Sequence, residues 1–252
     1  MLNSELIKYG AANLDGVSVI HLSGEFESVF KLLQGQVTSD CSLVANQCAQ
    51  SSSLCDEKGF ILCNFEIVLD IDRWLILINK ESANIFLNEM EKYLPFYNVS
   101  AQEIKQEIIG ICKQVSDTTT SNEHFIRSVG ELSISIYIPK ENVSMEPYKK
   151  LSILNWELNK KIMGDHIINS EDSGKYRPHE LGQHLTRVSF NKGCFKGQEI
   201  IARMEYLGKA KKETRLISHI KPEQVSQFEI VGSTIEAQKQ LFSSCLGKIE
   251  NF

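Results

Sequence analysis

Two β-prone runs, Gln47–Leu54 and Phe60–Leu69, are joined by the short stretch "CDEKG". Acidic, lysine and glycine residues at such a joint suit a tight hairpin turn, which makes the two runs antiparallel neighbours. That pairing argues against a doubly wound parallel sheet, where strands are separated by crossover helices. "DIDR" then turns the chain into a third run, Trp74–Ile78. Ala83, Phe86, Leu87, Met90 and Leu94 follow at helical spacing, and Pro95 ends the helix. Upstream, Val17–Leu22 alternates as a strand. Ser23 is the expected cap of a helix with Phe26, Phe30 and Leu33 on one stripe, stopped by Gly35, and "QGQVTSD" follows as a polar loop.

The same mixture recurs downstream. A strand is expected at Ile104–Ile111 and a polar loop at "QVSDTTTSNE", followed by a strictly alternating strand on Leu132, Ile134, Ile136 and Ile138. The next helix is expected over Tyr148–Met163. Hairpins interleaved with helices define an α+β chain. Neither a G-x-G-x-x-G nor a P-loop pattern occurs, so nucleotide binding by those routes has no support. The helix near residue 156 has two apolar faces: Leu151, Leu154, Leu158 and Ile162 on one, Ile153, Trp156 and Met163 on the other. The second face needs either another protein layer or a cavity in which Trp156 meets a planar heterocycle.

The segment "VSFNKGCFKGQEIIARMEYLG" carries the clearest chemical signal. Leu185–Phe190 is β-prone, and Ile200, Ile201, Met204 and Leu207 recur at helical spacing until Gly208, which predicts strand, tight turn, helix. Cys194 lies in the turn. Lys192, Lys196 and the helix N-terminus all favour thiolate over thiol, while a buried, inert cysteine is the alternative. Glu199 and Arg203 have the spacing of a helical ion pair.

A chain of 252 residues with 42% hydrophobic and 23% charged residues is long enough for one large or two modest domains. No run approaches the length of a membrane span, and the expected location is the cytoplasm. A net charge of −5 does not advertise nucleic-acid binding, although the basic run Lys209, Lys211, Lys212 and Arg215 is either a solvated linker or a contact for RNA phosphate or an anionic ligand tail. Seven cysteines without a leader pattern argue for reduced thiols. Cys41, Cys48, Cys55 and Cys63 lack the paired spacing of a metal site and read as small apolar residues, so no metal is expected. His179 and His184 are expected at the surface or as caps. Asn98-Val99-Ser100 and Asn142-Val143-Ser144 match an acceptor pattern for glycosylation that is idle in the cytoplasm.

"NKGCFKGQE" resembles the K-G-C-[FY]-x-G-Q-E signature of the YgfZ family, folate-binding relatives of the glycine-cleavage aminomethyltransferase. The likeness extends over residues 1–215 through "LQGQVTSD", "CDEKG" and "NSEDSGKYRP". It implies ferredoxin-like α+β lobes around a central channel, formed by residues 1–207, followed by a C-terminal β-barrel. Residues 208–252 are short for that barrel and are expected to form a truncated one, with weak strands at Arg215–Ile220 and Phe228–Val231. The resemblance also implies tetrahydrofolate binding, with Trp156 and the Val17 position at the folate site; this chain has valine where the family carries a second tryptophan. It assigns the signature to Lys192, Gly193, Cys194, Phe195, Gly197, Gln198 and Glu199, with the Cys194 thiol expected to face the folate channel. The implied role is support of iron–sulfur proteins, including tRNA methylthiotransferases, without a conventional catalytic activity. Three alternatives remain open: a tetrahydrofolate-dependent aminomethyltransferase, a cysteine-nucleophile hydrolase using His179 or His184 as base, and a folded chain without activity.

Overall fold

The hairpin at "CDEKG" forms, and it anchors the largest sheet. The computed structural model describes residues 6–120, 123–139, 148–208 and 210–252. Along the chain run β1 (Gly10–Asn13), β2 (Val17–Ser23), α1 (Phe26–Gln36), β3 (Gln50–Cys55), β4 (Ile61–Asp70), β5 (Arg73–Asn79), α2 (Lys80–Glu91) and α3 (Leu94–Tyr97). There follow β6 (Ser100–Ile104), β7 (Ile109–Gln114), β8 (Glu123–Val129), β9 (Leu132–Tyr137), α4 (Ile153–Ile162) and α5 (Gln198–Leu207). The described chain ends with β10 (Lys212–His219), β11 (Glu229–Ala237) and β12 (Gln240–Lys248). Three sheets result, with orders β3-β4-β5-β2-β6, β1-β7-β9-β8 and β10-β12-β11. Every strand pair in them is antiparallel, as an α+β chain requires.

The five-stranded sheet is covered on both faces. Ile20, Leu22, Phe65, Ile67, Trp74, Ile76 and Ile78 pack against Val29, Leu32 and Leu33 of α1 and Phe86 and Met90 of α2. The alternate positions Val19, Val68, Leu75 and Leu77 join Ile134 and Ile136 of β9 and Trp156 of α4. This explains why β5 is apolar without alternation: successive side chains enter opposite cores. On β4 the alternation is used differently. Cys63, Phe65 and Ile67 face the helices, while Asn64 and Glu66 point to the other side and line a pocket.

Several expectations are corrected. The single strand at Ile104–Ile111 is two strands in different sheets, β6 and β7, because polar residues 105–107 carry the chain from one sheet to the other. Glu25, not Ser23, precedes α1, whose buried stripe is Val29, Leu32 and Leu33; Phe26 is half exposed and Gly35 lies inside the helix. The helix expected from Tyr148 begins at Ile153, capped by Ser152, whose Oγ accepts from Asn155 N, and Leu154 on the presumed core stripe is exposed. Leu185–Phe190 is not a strand: residues 183–185 form a 3-10 turn, and the segment's backbone contact is with Thr38, through Ser189 N to Thr38 O and Thr38 Oγ1 to Arg187 O. The basic run is not a linker from Lys212 onward, since it opens β10, where Arg215 pairs with Glu213 and lies over the Phe252 ring. Lys209 and the 142–144 sequon lie outside the described residues.

One side chain ties these layers together. Arg187 is 1% exposed and donates to Asp165 Oδ1 and Oδ2 at 3.0 Å, to Glu66 Oε1 at 2.9 Å, and to the carbonyls of Ser52 and Phe65 at 2.9 and 3.0 Å. It thereby links β3, β4 and the turn after α4. The three-stranded sheet is attached through the end of α4 and the segment that follows it: Lys161 Nζ and His166 Nδ1 lie 2.8 and 2.9 Å from Ser244 Oγ of β12, and Gly232 N donates to Asp172 Oδ2 at 2.9 Å.

Burial pushes the His166 imidazole down from 6.5 to about 4, with the neighbouring Lys161 ammonium acting in the same direction. Between those two values the unfolded chain binds a proton that the folded chain does not. This contribution is therefore complete above about pH 6.5 and is lost as pH falls toward 4. Urea denaturation is expected to show a loss of about 2–3 kcal/mol across that interval. His166→Gln should flatten the slope; an unchanged slope would assign it to other groups.

Candidate functional site

The three signature segments meet at one corner of the molecule. Lys192 Nζ donates to the carbonyls of Val37 and Ser39 at 2.8 and 2.7 Å, fastening the signature loop to "LQGQVTSD". Burial pushes this ammonium down to about 8. Lys196 reaches the other way, 3.3 Å from Glu57 in the hairpin turn and 2.9 Å from Glu89 of α2, while its backbone N–H donates to Gly35 O at 3.2 Å. Gly197 opens α5 with φ +80°, and a Cβ there would lie 2.4 Å from Asp56 O. Only glycine combines that backbone angle with so close an approach. Phe195 inserts between them into a cluster with Cys55, Ile61 and Ile201. Gln198 starts the helix and donates its backbone N–H to Phe195 O.

The outcome for the cysteine differs from expectation. Both flanking lysines are committed to other partners, and Gly193 and Cys194 are exposed between them. Cys194 is presented on the outside, and none of Lys192, Gly193, Cys194, Phe195, Gly197, Gln198 and Glu199 lines the pocket that holds Trp156. The expected ion pair of Glu199 with Arg203 does not form among the described residues. His179 and His184 are neither free surface residues nor caps. Their rings stack at 4.5 Å, and His179 Nε2 lies 3.0 Å from Glu205 Oε2 of α5.

The pocket lies between the two larger sheets and α4, with a volume of about 360 Å³. Here the structure brings together Trp156 and Val17. Leu14, Ile108 and Ile136 supply apolar wall; Glu157, Lys160, Lys161, Asp165 and Arg187 supply charge; Gly232 and Ser233 of β11 close one side. Trp156 is fixed by its neighbours. A Cβ on Gly110 would stand 2.7 Å from the indole, so β7 touches one part of the ring, and Lys160 Nζ lies 6.0 Å from the ring centroid. Burial holds the Glu157 carboxyl above its ordinary range, against the pull of Lys161 and Lys160. Asp165 is held well below the carboxylate range: Arg187, Lys160 and Arg127 outweigh the cost of its burial. Sequence reasoning missed Glu157, Lys161, Asp165 and Arg187. The doubled lysine directly after Asn159, on a helix with two apolar faces, was the available clue for Lys161; nothing in "LTRVSF" marks Arg187.

Comparison with known proteins places this architecture. The crystal structure of glycine cleavage system aminomethyltransferase T from Bartonella henselae superposes with a TM-score of 0.60 over 98% of this chain and 80% of that one, at 12% identity. The fold is therefore that of the aminomethyltransferase class. No family model matches the chain. Among curated proteins it is 30% identical over 233 residues to the tRNA-modifying protein YgfZ of Colwellia psychrerythraea, covering 82% of this chain and 68% of the relative. It is 23% identical over 256 residues to that of Vibrio atlanticus, covering 95% and 77%. The chain belongs to the YgfZ family.

Among the seven thiols, Cys194 is exposed, Cys48 is partly covered and the remaining five are buried. Titration of the native protein with a chromogenic disulfide is expected to show one fast thiol, and Cys194→Ser should remove that phase while leaving the slow ones. A fast phase surviving the substitution would move the accessible thiol elsewhere.

Proposed function

We propose that the pocket binds tetrahydrofolate and that the chain serves as an accessory protein for iron–sulfur enzymes, and through them for methylthiolation of tRNA, with Cys194 as its functional thiol. The observation that carries this reading is the pocket itself: Trp156 and the Val17 position share its wall, beside the half-buried Glu157 carboxyl. Its volume falls within the range of small-molecule sites. Glu157 is suited to accept the amino and ring N–H donors of a pterin, and Trp156 adds flat apolar surface. Lys160 and Arg187 are held by Asp165 and Glu66, which leaves Lys161 as the pocket lysine without an ion pair among the described residues. A bound reduced folate would supply a carrier for one-carbon units. In this reading residues 1–207 form the folate-binding body, and residues 208–252 close one side of the pocket through Gly232 and Ser233. The Colwellia and Vibrio relatives are named tRNA-modifying proteins, which supports the link to tRNA.

The aminomethyltransferase alternative draws on the Bartonella neighbour, a glycine cleavage system aminomethyltransferase. It gives no task to an exposed cysteine held in so specific a frame. Methylthiolated tRNA bases measured by mass spectrometry in a deletion strain separate the two, because modification restored by this chain supports the accessory role. Cys194→Ser should retain folate binding and thermal stability yet fail to restore the modification; full restoration would exclude the thiol from the function.

Tetrahydrofolate is expected to quench tryptophan fluorescence. Trp156→Ala should weaken binding about tenfold, equivalent to roughly 1.4 kcal/mol. Unchanged affinity in a folded Trp156→Ala protein would remove this residue from the site.

A further inference from the structure

Two adjacent lysines at the end of α4 line the pocket in different surroundings. Lys160 Nζ stands 3.1 Å from Asp165 Oδ2 and 3.6 Å from Glu66 Oε1. Lys161 forms no ion pair among the described residues. Its Nζ donates to a neutral group, Ser244 Oγ, at 2.8 Å. The same hydroxyl lies 2.9 Å from His166 Nδ1, and burial keeps that imidazole uncharged at neutral pH. With the His166 proton on Nε2, Nδ1 accepts from Ser244 and the Ser244 oxygen accepts from Lys161. This chain holds the amine in place through one N–H without requiring it to be charged.

The charged and titratable groups around Lys161 are Glu157 and Lys160 on its own helix, Asp165 and His166 on the following turn, and Cys245 on β12. Burial outweighs the carboxylates and pushes Lys161 down to about 8. A desolvated lysine without a counter-ion has the properties of an amine nucleophile, whereas an ion-paired lysine keeps its proton.

We propose that Lys161 is a carbonyl-reactive amine of the pocket, whose Nζ condenses with a small aldehyde to form an imine. The Nζ lone pair forms the new C–N bond as the carbonyl π electrons move to oxygen, which takes a proton. The nitrogen gives up a proton, a second proton converts the hydroxyl to water, and water leaves as the C=N bond forms. The sum is one amine, one aldehyde and one proton giving one protonated imine and one water, with no redox partner. The substrate class is a one-carbon aldehyde unit, either free or released from a reduced folate. The second source rests on the folate reading above.

The test is reductive trapping on the full chain in phosphate buffer at pH 7, with peptide mass spectrometry as the readout. In one arm formaldehyde and cyanoborohydride are supplied. Methyl groups are expected on Lys161 roughly 100-fold faster than on an exposed lysine such as Lys31, following the larger fraction of free amine. The rate at Lys161 should climb with pH and level above about 8. Labelling of Lys161 no faster than Lys31 overturns the proposal. In the second arm methylenetetrahydrofolate replaces formaldehyde, and tryptophan quenching is followed on the same sample. Quenching with label on Lys161 supports both the amine and its folate source. Quenching without label in either arm overturns the reactive amine and leaves folate binding standing. Label from formaldehyde without quenching supports the amine and overturns folate as the source.

Discussion

The Arg187 guanidinium is the constraint around which the body is organised. Five hydrogen bonds from one buried side chain reach two carboxylates and two strand carbonyls. Taking such a charge out of water is costly unless its partners are complete, and removing one partner from a buried set costs several kcal/mol. The turn at Asp165 cannot move away from β3 and β4 without leaving a bare charge behind. Because α4 ends at that turn, the helix that carries Trp156, Glu157, Lys160 and Lys161 is held in register with the sheet.

The pocket follows from this arrangement. Two antiparallel sheets approach each other through apolar faces, and at the edge of their contact β4 places Asn64 and Glu66 where another hydrophobic pair would have continued the core. Polar residues at these positions need partners, which Arg187, Gln183 and the backbone of Ile168 supply. The result is a cavity with an apolar wall and a charged floor, a combination that suits a ligand with a flat ring system and polar edges.

The α+β class was legible because period-two runs and a hairpin turn are local signals. The split of Ile104–Ile111 was not, since an apolar residue at each end of a polar step looks continuous until the second sheet is known. β12 escaped notice because "QLFSSCLGK" hides its buried serines; Ser243 and Ser244 are inside only by bonding His219, Thr234, Lys161 and His166. β8 was obscured by the register shift between Phe125 and Arg127, which breaks the alternation. At the site, the pairing of Trp156 with the Val17 position came from resemblance and the fold places both at one pocket. The charges around Cys194 were legible as residues but not as geometry: Lys192 and Lys196 face partners far away in sequence, and no local pattern announces which way a lysine turns.

The shift of register in β11 between Val231 and Ile235 has a mechanical consequence. At that bulge Gly232 takes φ +64°, sits where a Cβ would meet Ile167 O at 2.6 Å, and enters the pocket wall together with Ser233. Bulges redirect a strand at the point where pairing is interrupted. The least regular part of the C-terminal sheet is thus also the part that touches the cavity. Any molecule filling the cavity shares its binding free energy with the local opening of that sheet, so occupancy would be written into amide exchange rates of β11 and β12 more strongly than into those of the distant helices α1 and α2.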